Sequence, residues 1–470
     1  KKEVLEDDME RIKNFYKQAG YLDAKPAYEL VFQERARRKW IELAVRIEEG
    51  RKYITGNIKV VANSVFSEEE LKSLLKMKPG DTFTEEGLHT DVGSVQEHYF
   101  DKGYIMARVR PDTLLNMATD RVDITYTLTE GEVAYVNKIN IRGNTKTKDV
   151  VIRRELRIRP GERYDGAKLK RSKERLYNLG FFEDITFDTE ETPEPNKRDM
   201  VVDVKETKTG EFSFGGGFSS IDKLVGFVEV EQRNFDILNF PTFTGDGQNL
   251  RLRGEFGSTR KNYMLSWTEP WIFDKPLSFG FDLYASEHNR SGTTGYAYDE
   301  KRQGGDIRLG KEFNETLRGD LTYRIETVDI SDLSAGVSSA LKAEAGENTI
   351  SSAMLQLTND TTDNKFNPVK GSVLVGSLEV AGGPFGGDKD FAKFFNSMSR
   401  YSTIGPFVLE LKLRDGIVST YGGNNGAVPV YERFFAGGTY TIRGFKERDV
   451  GPKDQSGDPI GGGTLAVANA

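Results

Sequence analysis

From residue 210 onward, apolar and polar side chains alternate with a period of two. Residues 250–256 place apolar side chains on one face and three charged side chains on the other, and residues 407–414 do the same. Because successive residues of a strand point to opposite faces, this pattern predicts strands that are apolar on one side and polar on the other. Eleven such strands are expected, with a twelfth beginning near residue 462, at 211–219, 224–233, 248–257, 261–269, 276–287, 301–313, 317–329, 348–359, 371–381, 391–403 and 407–420.

A soluble β-sandwich also alternates, so the pattern alone leaves two classes of protein open. The predicted strands are about 10 to 14 residues long, which suits a tilted strand that crosses a bilayer. Tight connections such as 404–406 alternate with long polar ones such as 330–348. Aromatic residues are expected at strand ends, where an interfacial girdle would lie, namely Tyr263, Trp267, Trp271 and Phe273. Together these features favour an antiparallel transmembrane β-barrel.

The chain before residue 210 repeats itself instead. Lys-Pro-Gly-Asp at 78–81 recurs as Arg-Pro-Gly-Glu at 159–162, and Glu-Gly at 49–50 recurs at 130–131, both after 81 residues. Such self-similarity is the signature of a repeated structural unit. The last unit predicts a strand–helix–helix–strand–strand order, βααββ, with elements at 136–141, 148–157, 165–179, 182–187 and 200–205.

Units of about 75 to 80 residues exceed the usual solenoid repeats and are expected to be small α+β domains in series. One complete unit is predicted at 53–132 and another at 133–207, while 1–52 supplies the second helix and last two strands of an earlier one. The β-barrel part would occupy 208–470. The units could be a spacer array, or their exposed sheet edges could accept an extended peptide.

Composition supports the division near residue 210. Residues 1–209 contain 12 glycines and balanced charge, whereas 210–470 contain 37 glycines and the whole net charge of −7. No basic stripe indicates nucleic-acid binding. The absence of cysteine excludes disulfides and thiolate metal sites. The first residues are not Met or an apolar signal, and both ends are expected to be cut from a longer chain, so that the barrel would close with strands beyond residue 470.

Enzyme motifs are missing from the sequence. There is no GxSxG elbow, no Walker P-loop and no HExxH. The acidic run 359–364 lacks the glycine and distal glutamate of a calcium loop, which favours a turn before Asn367-Pro368 over a weak cation site. We therefore expect no catalytic residues, no cofactor and no metal ion.

Residues 434–445, Phe-Phe-Ala-Gly-Gly-Thr-Tyr-Thr-Ile-Arg-Gly-Phe, closely resemble the loop signature of the BamA-type outer-membrane insertases. That family carries serial POTRA domains before a sixteen-stranded barrel. Residues 133–207 are similar to its last POTRA domain, and 210–218 to its first barrel strand. By family order, 53–132 would be the fourth POTRA domain and 1–52 the tail of the third, with the signature loop at 421–461.

The resemblance implies the central insertase of the outer-membrane assembly machinery of Gram-negative bacteria. Its POTRA domains would lie in the periplasm, receive unfolded outer-membrane proteins, and meet periplasmic chaperones and accessory lipoproteins of the complex; the barrel would fold substrates into the lipid bilayer. Two relatives of the same superfamily stay open: a two-partner secretion transporter, which typically has two POTRA domains and a plug helix, and an autotransporter-assembly factor. At least three POTRA units and no plug favour the insertase.

The resemblance also implies site residues, of which the loop motif Ile442, Arg443, Gly444 and Phe445 comes first. An arginine in a long loop is usually a solvated charge. In this family it enters the barrel and pairs with acidic residues on strands that would follow residue 470. Because a confined guanidinium needs carboxylate partners, the motif is expected to be a structural latch.

A second predicted site is the first barrel strand, with Phe212, Phe214, Gly215, Gly216 and Gly217. A bend at the seam would also explain the glycines. In the family this strand meets the last one at a weakly paired seam, and glycine offers no side chain for cross-strand packing. An opened edge could template an incoming substrate strand.

A third predicted site is Arg153, Arg154 and Glu155 in the last POTRA unit. Mixed charges on a short helix usually form a solvated face. The resemblance adds docking of a periplasmic lipoprotein at these residues.

Overall fold

The computed structural model of the protein describes residues 2–35, 38–219, 223–289, 298–333, 336–365, 367–422, 427–455 and 457–470. The chain forms two compact units. One contains residues 1–144 and 152–206, and the other contains 145–151 and 207–470.

The first unit begins with a partial repeat. It consists of helix α1 (Lys2–Gln18) and an antiparallel pair of strands, β1 (Lys25–Arg35) and β2 (Arg38–Glu48). These elements follow the order of the second helix and the last two strands of a βααββ unit.

Two complete repeats follow, and both have the predicted βααββ order. The first contains β3 (Ile54–Val61), α2 (Glu68–Leu74), α3 (Glu85–Asp101), β4 (Arg108–Asn116) and β5 (Arg121–Thr129). The second contains β6 (Tyr135–Arg142), α4 (Asp149–Arg153), α5 (Gly166–Asn178), β7 (Phe182–Glu191) and β8 (Lys197–Glu206). In each sheet the last strand lies in the middle, parallel to the first and antiparallel to the fourth element. The fourth element is therefore an edge strand.

Helix starts repeat with the same spacing as the motifs. Thr84 and Asp165, which are 81 residues apart, each cap a long helix by accepting a backbone N–H three residues on. A buried polar residue recurs at the same interval: Asp91 accepts the backbone N–H of Lys76, and Ser172 accepts that of Arg157. Both cores thus tie the loop between the helices to the longer helix.

The first helix of the second repeat is shorter than the sequence predicts. Helicity was expected over 148–157, whereas α4 ends at Arg153. The backbone N–H groups of Glu155 and Leu156 bond to carbonyls only three residues back, so the chain tightens into a turn. That turn lets Leu156 and Ile158 enter the core, at 8% and 1% exposure, and burial of these side chains overrides the helical pattern.

The second unit contains a twelve-stranded antiparallel sheet in which each strand pairs with the next along the chain. The predicted strands are confirmed, and their bounds agree within two residues. The strands are β9 (Gly210–Ser219), β10 (Lys223–Phe235), β11 (Gln248–Gly257), β12 (Arg260–Glu269), β13 (Leu277–His288), β14 (Asp299–Glu312), β15 (Leu317–Ser331), β16 (Gly346–Asp360), β17 (Gly371–Ala381), β18 (Phe391–Ile404), β19 (Phe407–Thr420) and β20 (Thr464–Asn469). In the described sheet, β9 and β20 are the edge strands.

The two faces of this sheet differ as the alternation requires. On β15, Leu321 and Ile325 point outward and are about half exposed, at 50% and 52%. Glu326, next in the strand, points inward and is 3% exposed. An apolar outer face suits lipid, and a polar inner face suits a lumen.

The aromatic residues around β12 are only partly where the sequence predicts them. Trp271 and Phe273 lie in the turn after β12, at a strand end as expected. Tyr263 and Trp267 instead lie within the strand, where Tyr263 pairs with Gly254 and Ala285. Gly254 has no side chain, and this leaves room for the Tyr263 ring to pack edge-on against the Phe256 ring within the strand.

Candidate functional site

The first barrel strand has glycine at two positions of its inner face, Gly215 and Gly217, and aromatic rings on its outer face. Phe212 and Phe214 point outward and are 64% and 75% exposed. Gly215 pairs with Phe227 of β10. A Cβ atom at Gly215 would lie 2.7 Å from the Phe227 ring, whereas one at Gly217 would meet nothing within 4 Å.

The Phe227 ring of β10 fills the space next to Gly215 that a side chain of β9 would otherwise occupy. The Arg253 guanidinium lies 4.8 Å from the centre of this ring on the inner wall. Arg253 itself pairs with Glu229 at 2.8 Å and Glu255 at 2.6 Å. The side chain that covers Gly215 therefore comes from β10, whereas the nearest inner-face side chain of β9 to form an ion pair is Glu211, which lies 2.7 Å from Arg233.

The long connection between β19 and β20, residues 421–463, is called the inner loop below; its residues 423–426 and 456 lie outside the described part. Its segment 428–435, the loop base, is buried at 429–432 and half-buried at its ends. Val430, Tyr431 and Glu432 form a short 3₁₀ turn with 1%, 8% and 3% exposure. Val430 and Tyr431 pack into an apolar cluster with wall residues such as Val328 and Phe391.

Glu432 of the loop base lies in a cluster of charges on the inner wall. Its carboxylate is 3.2 Å from Lys393 Nζ on β18, 3.3 Å from Arg324 Nη2 on β15 and 4.0 Å from Arg302 Nη1 on β14. The same cations pair with wall carboxylates, of which Glu326 is shared by Arg324 at 2.8 Å and Arg302 at 3.5 Å. The loop base thus places one acid among cations from three strands.

After its base the inner loop crosses over itself. Phe434 forms a bridge with Gly462, Ala436 with Val450 and Gly438 with Ile442. Gly437 has a φ of +107°, and a Cβ there would collide with the carbonyl oxygen of Lys446. Because the chain passes so close to the Gly437 backbone, only glycine fits at this crossing.

Segment 439–447, the loop tip, carries the predicted latch motif and is held through its backbone. Arg414 of β19 donates a hydrogen bond to the carbonyl of Tyr440, and Asn469 of β20 donates one of 2.8 Å to the carbonyl of Thr441. The Phe445 carbonyl accepts the Gly438 N–H at 3.1 Å. The tip therefore lies against the inner side of β19 and β20.

The structure places the four latch residues together on this tip. Ile442 bridges to Gly438, Gly444 has a φ of +92° and Phe445 is 57% exposed. Arg443 is exposed, and within the described residues it makes no hydrogen bond or ion pair. Its role as a latch stays a prediction.

Glu432 and its cations were not predicted from the sequence. Glu432 precedes the motif within Tyr-Glu-Arg-Phe-Phe at 431–435, so an acid beside aromatic residues was a visible signal. Its partners were not visible, because Arg324 lies 108 residues earlier in the chain.

The three predicted docking residues of the last repeat differ in how far their side chains are exposed. Arg153 is exposed at the end of α4 and reaches the Ile139 carbonyl at 3.4 Å. Glu155 is 5% exposed and accepts a hydrogen bond of 2.8 Å from Arg175 of α5. The Glu155 side chain therefore holds α5, which leaves Arg153 and the half-buried Arg154 as the part of this motif nearer the surface.

The first complete repeat contains a carboxylate held by backbone donors. Glu130 accepts N–H groups from Ser64 at 2.8 Å and Val65 at 3.0 Å, and the hydroxyl of Tyr99 at 2.7 Å. Desolvation opposes ionisation, but the hydrogen bonds from Ser64, Tyr99 and Val65 outweigh it and lower the pKa of Glu130 to about 2.

The acidic run 359–364 forms the turn that the sequence favours. Asp360 accepts the N–H of Thr362 at 3.0 Å, and Asp363 accepts those of Val369 and Lys370 at 3.0 and 3.1 Å. Backbone hydrogen bonds from Lys370 and Val369 lower the pKa of Asp363. In the described part of the chain, no group of His, Asp or Glu side chains has the arrangement of a metal site.

Among the described residues, no helix has the length and apolar character needed to cross a membrane.

Two family models match the chain in order. Residues 53–131 and 134–207 each match the POTRA model, whose description is "Surface antigen variable number repeat". Residues 242–470 match the model of the Omp85 superfamily domain.

Named relatives cover the whole chain. It is 32% identical over its full length to the outer membrane protein assembly factor BamA of Nitratidesulfovibrio vulgaris, and covers 58% of that protein. It is 27% identical, over 98% of its length, to the protein of the same name from Neisseria meningitidis serogroup B, and covers 59% of it. The chain thus spans less than two thirds of the length of these curated relatives.

The fold is also that of a solved structure. The crystal structure of BamA from Haemophilus ducreyi lacking POTRA domains 1-3 aligns with a TM-score of 0.66 at 23% identity, over 88% of this chain and 82% of that one. Repeats followed by an antiparallel sheet are therefore a fold that this chain shares with known proteins.

Proposed function

The chain belongs to the Omp85 superfamily, with the BamA-type order of POTRA domains before barrel strands, and we propose that it is the central insertase of outer-membrane protein assembly. In this role it binds unfolded outer-membrane proteins and folds them into the bilayer. The observation that carries the proposal is the first barrel strand, β9. It has no side chains from Gly215 to Gly217, and on its inner face Phe227 of β10 covers Gly215 while Gly217 stays open.

The proposed mechanism is strand templating at β9. In the described sheet this strand pairs with β10 on one side. Its other edge forms the proposed seam, and opening of the seam would expose backbone donors and acceptors there. An extended substrate segment can add to such an edge through main-chain hydrogen bonds, which do not depend on substrate sequence. Phe212 and Phe214 on the outer face provide an apolar surface toward lipid.

The energy for insertion comes from the substrate. Backbone groups left unpaired in lipid are costly, so each strand that pairs and enters the sheet lowers the free energy of the substrate. This process needs no nucleotide, cofactor or catalytic residue, and we propose that the protein is not an enzyme.

The protein is an outer-membrane protein, and we propose that its POTRA domains lie in the periplasm. The edge strands β4 and β7 could then receive extended substrate segments or chaperone-delivered chains. We propose that an accessory lipoprotein docks at Arg153 and Arg154. Glu155 supports this site indirectly, because its side chain holds α5 through Arg175.

We propose that Arg443 acts as a latch between the loop tip and the barrel wall. The tip lies against β19 and β20 through backbone contacts, which brings the exposed guanidinium beside the wall. An arginine in a confined lumen gains most from a carboxylate partner.

A disulfide across the seam tests the proposed function. The chain has no cysteine, so an introduced pair is the only one in its 470 residues. One variant joins β9, at Ser213→Cys, to the facing residue of the last barrel strand in the full-length protein. The control joins Val230→Cys to Leu252→Cys, an outward pair that lies opposite between β10 and β11.

Insertion of an unfolded barrel protein into lipid vesicles is then measured with and without reductant. The seam disulfide is expected to abolish insertion reversibly, and the control disulfide to leave it within about twofold, because it does not touch the templating edge. Full insertion by the oxidised seam variant would refute strand templating.

A further inference from the structure

We propose that Glu432 is a positioning residue, which fixes the loop base in the lumen and thereby sets where the loop tip lies. The proposal rests on the proposed function for its consequence in assembly, but its structural part stands on the contacts of Glu432 alone. These contacts come from β14, β15 and β18, whereas the tip is held by β19 and β20.

Cations of the wall contact the loop base on both sides of Glu432. Arg302 of β14 donates a hydrogen bond of 3.2 Å to the Tyr431 carbonyl and lies 5.5 Å from the centre of the Tyr431 ring. Lys393 of β18 lies 5.4 Å from the centre of the Phe434 ring. Glu432, between these two aromatic residues, pairs with Lys393 and with Arg324. Cations from three strands therefore contact three residues of the loop base, Tyr431, Glu432 and Phe434.

The ion pairs of the wall explain why the loop needs an acidic residue at position 432. Arg324 pairs with Glu326 at 2.8 Å and Glu379 at 2.6 Å, and Arg302 pairs with Glu300 at 2.6 Å. Lys393 differs, because among the described residues the carboxylate within pairing distance of it belongs to Glu432. Loss of Glu432 would leave a half-buried ammonium in the lumen without a counter-ion.

The wall without the loop is nevertheless balanced in charge. Its three cations Arg302, Arg324 and Lys393 face three carboxylates, Glu300, Glu326 and Glu379, and Glu432 is the fourth acid. Within the described residues these three wall carboxylates pair with the two arginines and not with Lys393, so the pair of Lys393 with Glu432 sets the seat of the loop.

The seat of Glu432 determines the position of the tip through the loop's own bridges. Phe434, two residues on, is bridged to Gly462, and the Gly437 crossing follows within three more residues. Little free chain separates Glu432 from the crossing, so a shift of the base must move the tip and its Arg443.

The test compares Glu432→Gln with a matched control, Glu410→Gln, on the inner face of β19. Glu410→Gln removes another inner carboxylate, which accepts the Tyr401 hydroxyl at 2.9 Å and pairs with no cation among the described residues. Lys393→Gln repeats the test from the wall, so that the inference can be examined even where Glu432→Gln does not fold. Folding is checked for every variant by circular dichroism.

The position of the tip is measured in the full protein in lipid vesicles. Nitroxide labels on Tyr440→Cys at the tip and Leu283→Cys on the outer face of β13 report one distance distribution. In Glu432→Gln and Lys393→Gln this distribution is expected to become roughly twice as wide, because the tip then samples several positions. Glu410→Gln should leave it unchanged. An unchanged distribution in both loop-seat variants, or an equal widening in Glu410→Gln, would overturn the proposal.

Insertion of unfolded barrel proteins is measured in parallel, with about a tenfold loss expected for Glu432→Gln. A protein that shows the tip displacement but no insertion even without substitution would refute the proposed function and leave the positioning role in place. Normal insertion by the unsubstituted protein with an unmoved tip in Glu432→Gln would refute the positioning role alone.

Discussion

The base and the tip of the inner loop are held in opposite ways. The base is buried and pairs its Glu432 side chain with cations of the wall, whereas the tip is exposed and is held by the carbonyls of Tyr440 and Thr441. Side-chain pairing depends on residue identity, and backbone pairing depends on the path of the chain. The Glu432 side chain therefore determines where the loop base binds the wall, and glycines such as Gly437 determine the path of the backbone at the crossing.

The difference predicts two kinds of sensitivity. Substitutions at the base should act through charge and should be rescued by a side chain of similar charge. Substitutions at the crossing should act through volume, whatever the charge of the new side chain.

The largest effect is expected from Arg324→Leu, on the wall that receives the base. Its guanidinium serves Glu326, Glu379 and Glu432, and removing one partner of a buried ion pair costs about 3–5 kcal/mol. The midpoint of thermal unfolding in detergent should fall accordingly. Arg318→Leu is the control, because Arg318 pairs with Asp320 at a site where its side chain is 46% exposed. Equal losses in the two variants would mean that the loop base adds nothing to this wall.

A smaller but definite loss is expected from Gly437→Ala at the crossing. The positive φ and the collision with the Lys446 carbonyl together should cost about 2–3 kcal/mol. Gly444→Ala has a similar φ of +92° with nothing within 4 Å, so it isolates backbone strain from collision. Loss of heat-modifiability on gels should be greater for Gly437→Ala. The crossing is not required if both variants behave alike.

Arg443→Ala should lower barrel stability or assembly activity, by less than Glu432→Gln. The Arg443 side chain is exposed, and loss of an exposed charge changes stability by about 0.5 kcal/mol or less unless it has a partner. Lys446→Ala, an exposed cation three residues on, is the control. Unchanged heat-modifiability together with unchanged insertion in Arg443→Ala would reject the latch.

The smallest effect on stability is expected in the first complete repeat. There a side chain, Glu130, is held by backbone N–H groups, so one residue combines the two kinds of contact that the loop base and the loop tip use separately. Its folded pKa of about 2 lies below the ordinary value of 4.5, so its contribution to stability is present above pH 4.5 and is lost as the pH falls toward 2. Thermal unfolding of this repeat followed between pH 6 and 2 should show that loss. The Glu130→Gln variant should lack this component, and an identical pH profile in the two proteins would contradict the assignment.

The strands could be predicted from the sequence because lipid and lumen impose alternation on every residue, as in 250–256. The repeats could be predicted because the motifs at 78–81 and 159–162 recur at a fixed interval, and the structure shows that each precedes a capped helix, at Thr84 and Asp165. The loop base could not be predicted, since pairing of Glu432 with Arg324 depends on the register of β15 and on the path of a loop over 100 residues away. Helix α4 was predicted too long because burial of Leu156 and Ile158, which decides its end, is a tertiary effect.

The bridges within the inner loop bear on the order in which the barrel forms. Phe434 with Gly462, Ala436 with Val450 and Gly438 with Ile442 connect the loop only to itself and span fewer than thirty residues. Contacts so local form faster than those between distant strands. The bridges within the loop are therefore expected to form before the long-range ion pairs of Glu432 with β14, β15 and β18.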